Sequence, residues 1–446
     1  MSVLVDAAAG ASTALLTDHY ELTMLEAARQ SGAAFHPAVF EVFARRLPDG
    51  RRYGVVGGVG RLVEELVAFR FGEPELTWLE GRGFLSQATL EWLASYRFQG
   101  TIRGYREGEL YFPYSPVLTV EAPFAEAVLL ETLILSVLNH DSAVAAAAAR
   151  MVTAATGRPL VEAGARRTHE RAAPAASRAA YVAGFDVTSN LEAGRRWGIP
   201  TGGTTGHSFM MVHRDERAAF EAQLATYGPA STFLVDTYDI EQGVRLAVQV
   251  AGSELGAIRI DSGDLAEEAR RARDLLDGLG ATGTEIVVSG DLNEFRIAEL
   301  SDSPVDRMLA GTELVTGSEA PTAGMVFKLV AVADDRGWRS VAKRSPAKST
   351  RGGVKETFRM LDRSGQAIGE ALVAHEGLGE TGLPAARGRR PLQHLLVEQG
   401  EIVADISPDQ AREHHRAAMA ELSDEHRSIA PGEAAFELVD MVRAPR

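Results

Sequence analysis

The middle of the chain alternates short apolar runs with amphipathic helical stretches. Phe233-Leu234-Val235 runs into Asp236, Ala257-Ile258-Arg259-Ile260 into Asp261, Ile286-Val287-Val288 into Ser289-Gly290-Asp291, and Met308-Leu309-Ala310 into Gly311-Thr312. Between the second and third runs, Leu265, Ala269, Ala272, Leu276 and Leu279 recur on one helical face, and Gly278 and Gly280 close that helix. Apolar strands separated by helices of this kind predict parallel βαβ units. Between Pro159 and Val330 the beat repeats often enough to favour an irregular α/β barrel over an open sheet. Either architecture binds ligands where its strands end, and that is where the polar clusters fall. One such cluster is explained equally well as the cap of the next helix. Four in succession, most with a glycine beside them, point to a shared site.

The flanks lack that beat. Residues 1–130 read as an α+β region with a sheet of its own: a helix from Asp18 to a stop at Gly32, a strand over Val39 to Phe43, and short extended pieces from Gly100 to Val120. A change of texture near Glu131 marks the start of the central part, taken here as residues 131–340. The longest apolar stretch, Phe124 to Leu138, is broken by Glu126 and Glu131 and is too short to cross a bilayer, so it predicts a buried helix. Residues 341–446 are again mixed. The basic segment Lys343 to Lys355 reads as a solvated loop. Ser407 to Leu422 reads as an amphipathic helix with Ser407 as cap, Pro408 in the first turn, and His414 and His415 on its solvent face.

A length of 446 residues exceeds what one hydrophobic core usually serves, so more than one domain is expected. Apolar residues at 45% and charged residues at 24% are ordinary globular values and exclude wholesale disorder. The absence of cysteine removes disulfides, thiolate metal sites and cysteine nucleophiles, and it suits a cytoplasmic protein. A formal charge of −15 argues against nucleic acid or an anionic membrane as the main partner, while leaving room for a local pocket for a phosphorylated small molecule. The opening MSVLVDAAAGAS carries Asp6 and no basic flank, so no secretory signal is expected there.

The strand ends carry the chemistry. Gly290, Gly311 and Gly317 follow apolar runs and could let backbone N–H groups approach phosphate. Asp236, Asp239, Asp261 and Asp264 supply carboxylates for Mg²⁺, for ribose hydroxyls, or for charge developing at an anomeric carbon. Arg259 is a charge inside an apolar strand, two positions before Asp261, so both side chains should face the same way. Burying that pair is costly unless both members are paired and hydrogen-bonded, which fits a functional site or a structural ion pair. His207 lies in a turn rich in Gly and Thr beside Thr204, Thr205 and Ser208. An imidazole there can be a cap, a base, or a nucleophile that is itself phosphorylated.

Taken together, "LLTDHYELTM", "ASRAAYVAGFDVTSNLEAGRRWGIPTGGTTGHSF", "FLVDTYD", "IRIDSGDL", "IVVSGDLNEFRIAEL" and "GTELVTGSEAPTAGMVFKLV" resemble the nicotinate phosphoribosyltransferase family in order and spacing, over most of residues 15–360. The resemblance implies a type II phosphoribosyltransferase: an irregular α/β barrel plus a smaller α/β sandwich domain built from the N- and C-terminal segments. It implies a homodimer with active sites at the subunit interface. The implied reaction joins nicotinate to phosphoribosyl pyrophosphate in NAD salvage, with ATP as co-substrate and Mg²⁺ held through substrate phosphates rather than by direct protein ligands. His207 matches the histidine that ATP phosphorylates, and Tyr20 the aromatic residue that stacks on the pyridine. Thr204, Arg259 and Arg166 match positions around the base, and Thr312, beside Gly311, one for the phosphoribosyl donor. Asp236, Asp261, Gly290 and Asp291 match residues around the ribose and phosphates. Ala163, Gly206 and Val187 depart from the commoner aromatic, alanine and glycine at their places.

Relatives that use nicotinamide place a carboxylate where Ser189 aligns, and a neutral serine there favours the acid. A quinolinate enzyme should show a denser set of basic residues. A non-catalytic binding protein of the same fold would be signalled by loss of His207, Arg259 or Asp261, and all three are present. A barrel phosphohydrolase should show a cluster of His and Asp that the sequence does not display.

Overall fold

The computed structural model describes residues 12–343, 350–378 and 388–441. The first residues of the N-terminal reading and the middle of the basic segment therefore lie outside the described residues. The chain divides into two compact units, one of residues 144–321 and one of residues 1–143 with 322–446. The second of these, made from both termini, holds the greater share of the chain.

In the unit 144–321 the apolar runs form a six-stranded sheet in the order Val187–Thr188, Leu160–Glu162, Arg307–Ala310, Glu285–Gly290, Ala257–Ile260, Thr232–Leu234. Every pairing is parallel. The strands read as apolar because both faces are covered: Ile258, Ile260, Ile286, Val288 and Met308 are fully buried. No ladder joins the first strand to the last among the described residues, so the six strands form a parallel α/β sheet whose closure into the expected barrel is not seen. The helix Leu265–Gly278 buries Ala269, Ala272 and Leu276 as the sequence pattern requires, while Leu279, just past its end, is 37% exposed.

Pairing in register fixes where the strands stop together. Leu234 lies beside Arg259, Ile260 beside Val288, Gly290 beside Ala310, Ala310 beside Glu162, and Glu162 beside Thr188. The residues that follow are therefore delivered to one edge of one sheet. This register positions the site.

The unit built from the termini centres on a seven-stranded antiparallel sheet, whose middle strands are Met325–Asp334, Pro37–Ala44, Leu118–Pro123 and Thr101–Tyr105. Phe40 stacks on Phe327 at 4.7 Å between ring centroids in its core. Here the boundary expected near residue 340 is corrected. The run Met325 to Asp334 reads like one more βαβ strand, yet it pairs antiparallel along Pro37–Ala44 and belongs to this unit. The boundary expected at Glu131 also moves, to residue 143 inside the helix Glu131–Ala155. That helix outruns the apolar stretch read from sequence and is long and apolar enough to cross a membrane, but 67% of its most apolar window is buried inside the protein.

C-terminal residues finish this unit. Gln393–Glu398 adds to the large sheet beside Thr101–Tyr105, and Val354–Leu361 with Ala367–His375 forms the heart of a four-stranded sheet. Buried charges fasten them. Lys355 donates to Glu41 at 2.6 Å, and Glu370 accepts from Tyr105 at 2.7 Å and Ser115 at 2.6 Å. Lys355 therefore does not belong to a solvated loop. His414 and His415 are corrected likewise. His415 is buried, donates to the Gly108 carbonyl at 2.9 Å, and is pushed down to about 4 by burial. His414 meets the buried Glu109 at 2.9 Å; against the cost of burial, His414 and Arg390 hold that carboxyl well below the usual range. On the helix Pro408–Ala420 the inward face is Ala411, His415 and Ala418, a spacing that looks amphipathic only once the imidazole is counted as core.

Candidate active site

Four neighbouring strand ends build the centre. The helix His207–Val212 begins after Gly206, which places His207 at its first position with its side chain 39% exposed. Nδ1 of His207 lies 3.3 Å from the Thr237 hydroxyl, and Nε2 lies 3.7 Å from Oδ2 of Asp261. The second distance is an ion-pair separation rather than a hydrogen bond. The same carboxylate oxygen is 3.7 Å from Arg259, as the two-residue spacing in the strand predicts.

Each of these side chains is held by others. Arg259, 11% exposed, donates from Nη1 to the Thr204 hydroxyl at 2.6 Å and to the Thr205 carbonyl at 3.1 Å. It thereby ties its strand to the turn that leads into His207. Asp261 receives a hydrogen bond from the Ser289 hydroxyl on the next strand. Asp236 does not stand free at the strand edge: its Oδ2 accepts the Asp261 N–H at 2.8 Å and the Ser262 hydroxyl at 2.7 Å. Its Oδ1 is buried without a hydrogen-bond partner. Two other sequence candidates are caps. Asp239 accepts from the Gln242 N–H, and Asp264 from the N–H groups of Ala266 and Glu267. For those two the plainer reading of a polar strand end holds.

The glycine-rich ends sort in the same way. Gly290 finishes its strand at φ +152°, a conformation costly for any other residue, and leads into the exposed Asp291. Gly311 directly follows Ala310, the residue paired with Gly290, and precedes the short helix Thr312–Val315. Gly317 serves a tight turn instead, since a Cβ there would meet the Ala320 carbonyl oxygen at 2.3 Å.

Beyond the Gly311 strand lie the two ends expected near a base. Arg166 is exposed in the turn Ala165–Arg167 after Leu160–Glu162, and Ser189 is exposed directly after Val187–Thr188. Tyr20 belongs to the other unit, in the first turn of the helix His19–Ser31. It is 45% exposed there and hydrogen-bonded to Glu131; burial and then the Glu131 charge push its phenol above the ordinary range. The capping box of Asp18 and Glu21 sets that turn, and Glu21 also accepts the Thr132 N–H at 3.0 Å.

The chain is similar to known proteins along nearly its whole length. Residues 15–139 match the nicotinate phosphoribosyltransferase (NAPRTase) N-terminal domain. Nicotinate phosphoribosyltransferase pncB1 of Mycobacterium tuberculosis is 54% identical over 430 residues, covering 95% of this chain and 94% of that protein. The chain belongs to the nicotinate phosphoribosyltransferase family. Two further nicotinate phosphoribosyltransferases extend the likeness. That of Bacillus subtilis is 37% identical over 79% of this chain and 74% of its own, and that of Homo sapiens is 30% identical over 95% and 94%. The crystal structure of human nicotinic acid phosphoribosyltransferase superposes with a TM-score of 0.80 at 27% identity, covering 95% of this chain and 97% of that one.

For this member of the nicotinate phosphoribosyltransferase family, the structure draws His207, Arg259, Thr204, Asp261 and Asp236 into direct contact at one sheet edge. It sets Gly290, Asp291, Gly311 and Thr312 on the neighbouring strand ends, and Arg166 and Ser189 at the far end of the same edge. Thr237 and Ser262 complete the centre and are not distinguished in the sequence, while Ser289, expected as part of a phosphate cradle, donates to Asp261 instead. The first two are immediate neighbours of residues that are distinguished, and a hydroxyl next to a strand-end carboxylate is the signal that could have found them.

Proposed function

We propose that this protein makes nicotinate mononucleotide from nicotinate and phosphoribosyl pyrophosphate for NAD salvage, coupled to ATP through a phosphorylated His207, as a cytoplasmic homodimer. Membership of the family supports the transfer itself. The observation that carries the ATP coupling is the setting of the His207 imidazole, flanked by Thr237 and Asp261 at the end of the Arg259 strand. With the Nδ1 proton donated to the Thr237 hydroxyl, Nε2 keeps its lone pair and is partly exposed, as a phosphoryl acceptor must be. The coupled step then forms an Nε2–P bond as the bond to the leaving ADP oxygen breaks.

In the transfer, the pyridine nitrogen attacks the anomeric carbon and pyrophosphate leaves. Positive charge grows on the sugar, and the Asp261 carboxylate, held by Ser289 and by the Asp236–backbone bond, is the group at this edge able to offset it. Arg259 and Thr204 answer the acid's carboxylate and Arg166 and Ser189 line the same slot; Tyr20 is the aromatic residue that the resemblance assigns to the pyridine ring. The Gly290–Asp291 and Gly311–Thr312 ends take the donor's phosphates.

The edge is acidic as well as basic. Burial, then the charges of Asp239 and Asp236, raises the Glu216 carboxyl, and both Asp236 Oδ1 and Glu216 Oε1 are buried without hydrogen-bond partners. Mg²⁺ carried in on substrate phosphates keeps several waters, and such oxygens would accept hydrogen bonds from those waters rather than bind the ion directly. When bound, that cation screens phosphate charge from these carboxylates.

Nicotinamide is the competing substrate. Ser189, neutral and exposed at its strand end, does not repel an acid and offers the amide no anionic acceptor. Purified protein given nicotinate, phosphoribosyl pyrophosphate, Mg²⁺ and ATP should yield nicotinate mononucleotide, pyrophosphate, ADP and phosphate. With nicotinamide in place of the acid, kcat/KM should fall about a hundredfold or more. Equal turnover of nicotinamide, or a rate with nicotinate that ATP does not raise, would overturn the reading.

A further inference from the structure

We propose that Glu162 is a positioning residue for the base end of the site, its carboxylate fixing the two loops that carry Arg166 and Ser189. The proposal rests on the reading that those two residues flank nicotinate. Glu162 ends its strand with the side chain 1% exposed. A buried carboxylate usually answers a cation. Here, among the described residues, the hydrogen bonds it accepts come from a backbone N–H and two hydroxyls.

Each donor belongs to a different piece of chain. The Gly164 N–H reaches Oε1 at 2.5 Å and lies in the turn entering Ala165–Arg167. The Ser177 hydroxyl, on the helix Ala173–Val182, reaches Oε2 at 2.7 Å. The Thr188 hydroxyl reaches the same oxygen at 2.5 Å from the residue before Ser189. Glu162's own carbonyl accepts the Ser189 N–H at 2.8 Å. One residue therefore touches the turn before Arg166 and both residues at the end of the Ser189 strand.

The donors leave little freedom. Thr188 Oγ1 accepts the Asn190 N–H at 3.0 Å, so its single proton is committed to Glu162. Thr188 also pairs with Thr201, and its carbonyl accepts the Gly202 N–H at 3.0 Å, on the segment that runs on to Thr204. Gly164 is packed so closely that a Cβ would meet Val315 at 2.4 Å and the Gly311 carbonyl oxygen at 2.8 Å. Glutamine fills the same volume but turns an NH₂ donor toward one of these donors, leaving it without an acceptor.

The test is steady-state kinetics on the full-length protein. In Glu162→Gln the KM for nicotinate should rise about tenfold or more, while the KM for phosphoribosyl pyrophosphate stays within about twofold, since displacement by a fraction of an ångström is enough to cost that much. Arg166→Ala and Ser189→Ala test the underlying reading separately. If neither changes the KM for nicotinate, those loops do not serve the base, and the proposal falls with that reading. If they raise it and folded Glu162→Gln keeps the wild-type value, the positioning role alone is wrong. A lowered kcat with both KM values unchanged would mark a merely structural residue and would also overturn it. Should Glu162→Gln fail to fold, Thr188→Val, which deletes one donor, must raise the nicotinate KM and Thr188→Ser, which keeps it, must restore it; equal values in the two would refute the proposal.

Discussion

Protein carrying His207→Ala forms nicotinate mononucleotide at a rate that ATP no longer raises. Replacing the imidazole removes the nitrogen set between Thr237 and Asp261, while Arg259, Asp261 and the glycine-rich strand ends stay in place. Slow uncoupled transfer should therefore survive, and ADP release should stop. The coupled rate should drop by at least about a hundredfold, the usual scale for loss of a positioned nucleophile or base. Initial rates with and without ATP, read together with ADP production, decide the matter. Full ATP-stimulated turnover in the variant would mean that His207 is only a helix-starting residue.

Arg259→Ala should act on the base and on the turn at once. The guanidinium sits between Asp261 and the Thr204–Thr205 segment, so truncation leaves a carboxylate without its cation and a carbonyl without its donor. Loss of a charge-assisted hydrogen bond to the nicotinate carboxylate is worth about ten- to a hundredfold in kcat/KM. The effect should fall mainly on the KM for nicotinate. Arg259→Lys should recover only part of it, because an ammonium cannot reproduce two donors fixed in one plane. If alanine at 259 leaves the nicotinate KM unchanged, the Arg259–Asp261 pair is structural and the base binds elsewhere.

The parallel sheet could be read in the sequence because its strands are buried on both faces and so appear as unbroken apolar runs. Arg259 stood out for the same reason, as the one charge in such a run. The second unit was harder. Met325 to Asp334 has the composition of a barrel strand, and only its long-range pairing with Pro37–Ala44 reveals the antiparallel sheet. His415 reads as a surface residue because a neutral buried imidazole and an exposed one look alike in one dimension; the Gly108 carbonyl that satisfies it lies far away in sequence. At the site, the residues with distinctive chemistry were legible and those that hold them were not. Thr237, Ser289 and Glu162 act through partners on other segments of the chain, and sequence spacing carries no trace of those contacts. Asp239 and Asp264 show the converse, strand-end carboxylates whose work is done within their own helices.

The most direct test of the account is to find where ATP leaves its phosphoryl group. After incubation with ATP and Mg²⁺, under alkaline conditions that preserve phosphohistidine, mass spectrometry should place one phosphoryl group on the peptide containing His207, and adding nicotinate with phosphoribosyl pyrophosphate should discharge it. A phosphoryl group on any other residue, or coupled ATP hydrolysis with His207 unmodified throughout, would contradict the assignment.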